Sequence, residues 1–118
     1  MTYWLLRHAD KPPESNAIAA VAMAMLVGNV HTTAANVSSA AGVSRRTVER
    51  SVQVTFNLSF RELRNQILLA RVAQLAQLQP NGSIKQVAYE LGYAHPRSLS
   101  RHIRKLTGES PRQLWRKQ

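Results

Sequence analysis

The sequence predicts an all-α protein of about seven helices, built as two helix-turn-helix subdomains joined by a long linker helix. Three observations carry this. First, a helix-turn-helix pattern occurs twice: Thr33–Val52 reads TAANVSSAAGVSRRTVERSV and Ser83–Ile103 reads SIKQVAYELGYAHPRSLSRHI. Second, the copies are in register. Val37 and Val87, like Gly42 and Gly92, are 50 residues apart, and past the turn the offset becomes 51 (Arg46 and Arg97, Arg50 and Arg101, Val52 and Ile103) because Ala94 lengthens the second turn by one residue. Third, cap residues and Gly/Pro breaks divide the chain into helix-length pieces, none of which reads convincingly as a strand.

Residues 1–14 form an N-terminal segment and linker. Tyr3, Trp4, Leu5 and Leu6 are too apolar for a free tail, and Lys11-Pro12-Pro13 reads as a linker because proline blocks helix continuation. The segment is either the end of an upstream domain or a piece that packs on this one. The first subdomain, residues 15–58, opens with a helix starting near Ser15 or Asn16, both good N-caps. Ile18, Val21, Ala22, Met25 and Leu26 give it an apolar stripe, and Gly28-Asn29 stops it. It has no Lys or Arg, so a core helix is expected rather than one lying on a membrane surface.

Thr33 then caps a short helix over Ala34–Ala41. Gly42 supplies the left-handed conformation of a tight turn, Val43 plugs that turn, and Ser44 caps the second helix. Val52–Leu58 has β-propensity, but the repeat makes it a helix end and a turn, with Asn57 suited to a left-handed helix end. Ser59 and Glu62 form a capping box opening the linker helix, Phe60 to about Leu78, within residues 59–79. Leu63, Ile67, Ala70, Val72 and Leu75 are its apolar positions, and Pro80-Asn81-Gly82 ends it. In the second subdomain, residues 80–118, Ser83 caps the repeat. Gly108-Glu109-Ser110-Pro111 then opens a last helix, with a Ser110/Gln113 capping box and proline at the first helical position.

Both copies carry small or apolar residues where two helices cross: Val37, Ala41, Val43, Val48 and Val52, then Val87, Ala88, Leu91, Tyr93, Leu99 and Ile103. The outward faces of the second helices are Arg45, Arg46, Glu49, Arg50 and Gln53 in one copy, and Arg97, Ser98, Ser100, Arg101 and Arg104 in the other. The charge follows the repeats. Residues 1–43 hold two Lys/Arg and two acids, whereas residues 44–118 hold 14 Lys/Arg and four acids, so the whole net charge of +10 lies there. Twelve of the 16 bases are Arg, whose planar fork matches phosphate and the guanine edge. A solvated surface would serve solubility with mixed signs, so nucleic acid is the expected partner.

Arg46, Glu49 and Arg50 share one helix face at i, i+3 and i+4, and Arg97, Ser100 and Arg101 repeat the arrangement. Such a face near a helix start meets base edges in the major groove, where Arg pairs with guanine and Glu accepts from cytosine N4. These six are the candidate base contacts, and Arg45 and Arg104 are candidate DNA-backbone contacts. A linker helix of about 19 residues spans roughly 28 Å, so two recognition helices could stand about one DNA turn, ~34 Å, apart. One monomer would then read two unlike half-sites.

The chain resembles the DNA-binding domain of the AraC/XylS family of bacterial transcription regulators over about residues 17–116. The second copy carries the resemblance: Ser83-Ile84-Lys85-Gln86-Val87-Ala88, Leu91-Gly92-Tyr93, Leu99-Ser100-Arg101, Gly108, and Ser110-Pro111 followed by Trp115-Arg116. In the first copy Ser44, Val48 and Arg50 fit. The resemblance implies the same six base contacts, and capping and phosphate contacts near Thr33, Ser44 and Ser83. It also implies RNA polymerase as a partner for an activator, a monomeric DNA-binding unit, and dimerisation, where it occurs, through a separate domain. The length leaves no room for that domain, so a stand-alone regulator or a fragment is expected. Val52 and Ile103 stand where phenylalanine is usual, Ser38 where alanine is usual, and Leu68 in place of a common arginine, departures that bear on core packing.

Other classes fit less well. The chain has no cysteine, so disulfides, thiolate zinc sites and cysteine nucleophiles are excluded, in keeping with the cytoplasm. Ala17–Val27 is about half the length of a membrane span, and residues 1–10 lack the order of a secretory signal. His8, His31, His95 and His102 form no His-x-x-x-His pair and the acids are dispersed, so no enzyme, cofactor or metal is expected. His95 is expected to cap the second recognition helix or face DNA, and His102 to be solvated or to face phosphate. An RNA-binding or protein-interaction module is the alternative, but Phe56, Phe60, Tyr89, Tyr93 and Trp115 sit at core-like positions rather than on a stacking platform.

Overall fold

The computed structural model describes residues 15–78 and 83–116, the last two by backbone alone. The N-terminal segment, Pro80-Asn81-Gly82 and the Trp115 side chain lie outside the described residues. Within them the fold is all-helical, with seven helices: α1 (Ser15–Gly28), α2 (Ala34–Ala41), α3 (Arg45–Phe56), α4 (Phe60–Leu78), α5 (Ile84–Glu90), α6 (Pro96–Thr107) and α7 (Pro111–Arg116). None is long and apolar enough to cross a membrane. Contacts divide the chain into two compact units. One is built from residues up to Gly28 and from Thr32–Leu63, the other from Asn29–His31 and the residues from Arg64 onward.

In the first unit α1 packs most extensively on α3, and α2 covers both. Its core is Ile18, Ala19, Ala22, Leu26, Val37, Val48 and Val52, with Phe60 and Leu63 from the start of α4. The buried stripe of α1 is rotated from the expected one: Val21 is exposed and Ala19 is fully buried. At about 100° per residue, Ile18, Ala22, Leu26 and Ala19 fall within one ~100° arc, and Val21 lies about 60° outside it. The small side chains of Ala19 and Ala22 on this arc let α3 approach closely. Thr32, also buried, donates its hydroxyl to the Met25 carbonyl at 3.1 Å, which satisfies one open carbonyl at the end of α1.

The expected capping box opens α4: Glu62 N–H donates to Ser59 Oγ at 3.1 Å, and Ser59 N–H to Glu62 Oε1 at 2.9 Å. The Ser59 N–H first, and then the Ser59 side chain, lower the Glu62 carboxyl from its ordinary value. Val52–Phe56 is helical as the repeat requires, and Asn57 ends α3 with φ 57°. In the second unit Ile67, Leu68, Val72, Leu75 and Ala76 of α4 contribute to a core with Val87, Ala88, Leu91, Leu99 and Ile103. Ala70, expected inside, is exposed, while Leu68 is 1 % exposed, a core position that suits an apolar side chain.

Candidate nucleic-acid interface

Two helices carry the candidate contacts, and each follows a capped helix and a left-handed glycine turn. In the first unit the Thr33 hydroxyl accepts from Asn36 N–H at 3.1 Å, and the Asn36 side chain accepts from Thr33 N–H at 2.9 Å. This second half of the box lengthens the expected cap into a reciprocal pair, legible in principle from the Thr-x-x-Asn spacing. Gly42 turns the chain at φ 71°, with its N–H on the Ser38 carbonyl at 2.9 Å. The Ser38 hydroxyl donates to the Val43 carbonyl and ties the two sides of the turn together. Ser44 Oγ then accepts from Thr47 N–H at 3.1 Å and starts α3.

Val48 and Val52, both fully buried, clamp α3 by one face. Arg45, Arg46, Glu49, Arg50 and Gln53 are therefore all exposed, as expected. Arg45 and Glu49 approach to 3.9 Å across one helical turn with 68% and 52% of their side chains in solvent. An exposed i, i+4 pair of this kind contributes only a few tenths of a kcal/mol, so Glu49 stays available to another donor. Beneath that face Ser51 is buried, its hydroxyl donating to the Thr47 carbonyl at 2.7 Å.

The second unit repeats the scheme. Ser83 and Gln86 form a capping box at 3.2 and 3.4 Å, again one more bond than the cap expected from sequence. Gly92 has φ 84° in the turn. His95 occupies the N-cap of α6, but its side chain makes no cap bond, which corrects one expected role for it. Pro96 at the first helical position has no N–H, so fewer donors there need a partner. Leu99 and Ile103, fully buried, clamp α6. Arg97, Ser98, Arg101 and Arg104 are exposed, whereas Ser100 is half-buried rather than fully outward, because it flanks the Leu99–Ile103 stripe. His95, Pro96, Arg97, Ser98 and Arg101 line a concave surface at the start of α6.

Two other placements differ from expectation. Tyr89 is 51% exposed, since it lies on α5 opposite Val87 and Leu91, while Phe60 is buried and Phe56 and Tyr93 are half-buried. His102 is half-buried rather than fully solvated, with Nδ1 3.1 Å from the Tyr93 hydroxyl. Burial first, then Arg64, Lys105 and His31, push the His102 imidazole below its usual range, and burial pushes the Tyr93 phenol up against an opposing effect of Arg64. Both groups are neutral near pH 7, so the bond between the phenol and Nδ1 is one between uncharged partners. Finally, the hydroxyls of Thr33, Ser44 and Ser83 are already engaged by their own helices, so any anion there would meet first-turn backbone amides. Among the described residues no group of three or more His, Asp or Glu could hold a metal ion.

Chemically, two helices each present paired guanidinium groups, with a carboxylate on one and a hydroxyl on the other. The sequence model of a helix-turn-helix domain family matches residues 37–117. A comparison with curated protein sequences found no match. Among solved structures the chain is similar to the C-terminal domain of AraT, a response regulator from Geobacillus stearothermophilus, with a TM-score of 0.72 and 23% identity over 86% of this chain and 85% of that one. It is also similar to a DNA-binding transcriptional dual regulator from Escherichia coli K-12, with a TM-score of 0.67 and 20% identity over 89% of this chain and 92% of the other. These likenesses concern the fold.

Proposed function

The chain belongs to the AraC-type helix-turn-helix family, and from that membership we propose that it regulates transcription by laying α3 and α6 in successive major grooves of one duplex. DNA-binding transcription regulation is the activity of the family, which is not a class of enzymes. The observation that carries the detailed reading is the equivalence of the two exposed faces. Arg46, Glu49 and Arg50 on α3, and Arg97, Ser100 and Arg101 on α6, occupy matching positions on helices clamped by matching buried pairs, Val48/Val52 and Leu99/Ile103.

In this reading each arginine pairs with a guanine edge, Glu49 accepts from a cytosine amino group, and Ser100 serves either base type. Arg45 and Arg104, with the first-turn amides beside Thr33, Ser44 and Ser83, hold phosphates and set the register. The DNA-binding unit acts as a monomer on an asymmetric site, in the cytoplasm, and RNA polymerase is the protein partner at activated promoters.

Selection from a random duplex library tests this. Enrichment of one asymmetric element, with two unlike half-sites about one helical turn (~34 Å) apart, is the expected result. Affinity for it should fall steeply as salt rises. A preference for single-stranded probes, or no enriched sequence, would overturn the reading in favour of an RNA-binding or protein-interaction role.

A further inference from the structure

The turn of the second helix-turn-helix takes a side-chain hydrogen bond from outside the motif. In the first copy the Ser38 hydroxyl bonds the Val43 carbonyl across the turn. The residue in register in the second copy, 50 positions on, is Ala88, which has no donor. The turn there takes a side-chain donor from His31, which precedes both motifs, at a different carbonyl, that of Leu91 rather than that of Tyr93. His31 Nε2 lies 3.0 Å from the carbonyl oxygen of Leu91, 60 residues away in sequence. A carbonyl only accepts, so Nε2 carries the proton.

Two further contacts make this a seat rather than a single bond. The His31 ring stands edge-on to Tyr93, with ring centres 4.8 Å apart at 74°. It also covers Gly92, where an added Cβ would come 3.3 Å from His31 Cδ2. The backbone of His31 is itself held, its N–H donating to Asn29 Oδ1 at 2.9 Å, and the neighbouring Val30 is buried. Tyr93 passes the contact on, through its hydroxyl, to His102 on α6 at 3.1 Å. Val30, His31, Arg64, Leu68, Tyr93 and His102 line one cleft of the second unit.

We propose that His31 is a positioning residue for DNA recognition by the second helix-turn-helix. It supplies from outside the motif a side-chain donor to the Leu91–Tyr93 turn, and so fixes the orientation in which α6 presents Arg97, Ser100 and Arg101. The inference rests on α6 being a DNA-reading helix.

Two variants test it. His31→Gln keeps an N–H donor at comparable reach, and His31→Leu keeps bulk without a donor. Duplex selection is run on the parent and both variants, and the half-site read by α6 is identified as the positions relaxed by Arg101→Ala. His31→Leu should lose about three- to tenfold in discrimination at those positions only, the worth of one hydrogen bond. His31→Gln should stay within about threefold of the parent. No loss in His31→Leu, equal loss at both half-sites, or no rescue by Gln overturns the inference.

Hydrogen exchange gives a readout without DNA. The Gly92 and Tyr93 amides, bonded to the Tyr89 and Ala88 carbonyls at 3.0 and 2.9 Å, should exchange faster in His31→Leu and recover in His31→Gln. The Gly42 and Val43 amides of the first turn serve as the control for folding and should not change. Unchanged exchange at Gly92 and Tyr93 overturns the positioning role whatever the DNA result. Faster exchange in a protein whose parent selects no duplex overturns the DNA reading instead.

Discussion

The imidazole of His31 donates to the carbonyl of Leu91 across 3.0 Å, and the same ring lies against the Cα of Gly92. A residue between α1 and α2 thus donates to a turn between α5 and α6. Gly92 has two reasons to be glycine, a left-handed backbone and a covered face, where Gly42 has only the first.

Substitution by alanine should separate these reasons. Gly42→Ala, at φ 71° with open space around it, should cost about 1 kcal/mol for the left-handed conformation alone. Gly92→Ala should cost about 1 kcal/mol for the same conformation and more in so far as the His31 ring, 3.3 Å from the new methyl, must shift. Gly28→Ala, at a helical position with nothing within 4 Å, should instead stabilise by about 0.5 kcal/mol. Urea denaturation of the three variants checks the order, and equal losses at Gly42 and Gly92 would remove the role given to the ring.

The two arginine faces should behave as separate readers. Arg50→Ala and Arg101→Ala should each relax base discrimination by about 1–3 kcal/mol, at different half-sites. Arg104→Ala should weaken binding to all sequences alike and lower the salt slope by about one ion. Competition binding with point-mutated duplexes measures both; loss at the same half-site for Arg50 and Arg101 contradicts the assignment.

Acid should destabilise the second unit through His102. Its folded-state imidazole titrates below the unfolded value of about 6.5, because burial, Arg64, Lys105 and His31 oppose its charge. The unfolded chain therefore binds the proton first. The stability contributed by neutral His102 is complete above about pH 6.5 and is lost as pH falls through the lowered folded value. His102→Gln should flatten this part of the stability profile. Were His102 turned to phosphate, its protonation would strengthen DNA binding in the same range, so the sign distinguishes the two placements.

The serine side-chain caps of α3 and α5 should be worth similar amounts. Ser44→Ala and Ser83→Ala should each cost about 1 kcal/mol, and Ser44→Gly only a few tenths. Ile103→Ala, which opens a cavity at a fully buried site, should cost more, about 2–5 kcal/mol. Thermal denaturation of the set ranks them.

The amino-acid sequence by itself determined the helices, their ends and the exposed arginines. These are local properties: Ser59 meets Glu62 three residues away, Gly42 and Asn57 take left-handed angles where their residue types allow it, and Arg46, Glu49 and Arg50 follow from a 3.6-residue period. Where one helix buries a face against several others, the period alone fell short. Val21, Ala70 and Tyr89 proved exposed, Ser100 half-buried and Leu68 buried, because the width and centre of each buried arc depend on the partner helix. The place of His31 was decided only by the tertiary structure. A histidine 60 residues from the carbonyl it bonds leaves no trace in local spacing, and neither does a tyrosine hydroxyl that reaches His102 only after the turn has closed.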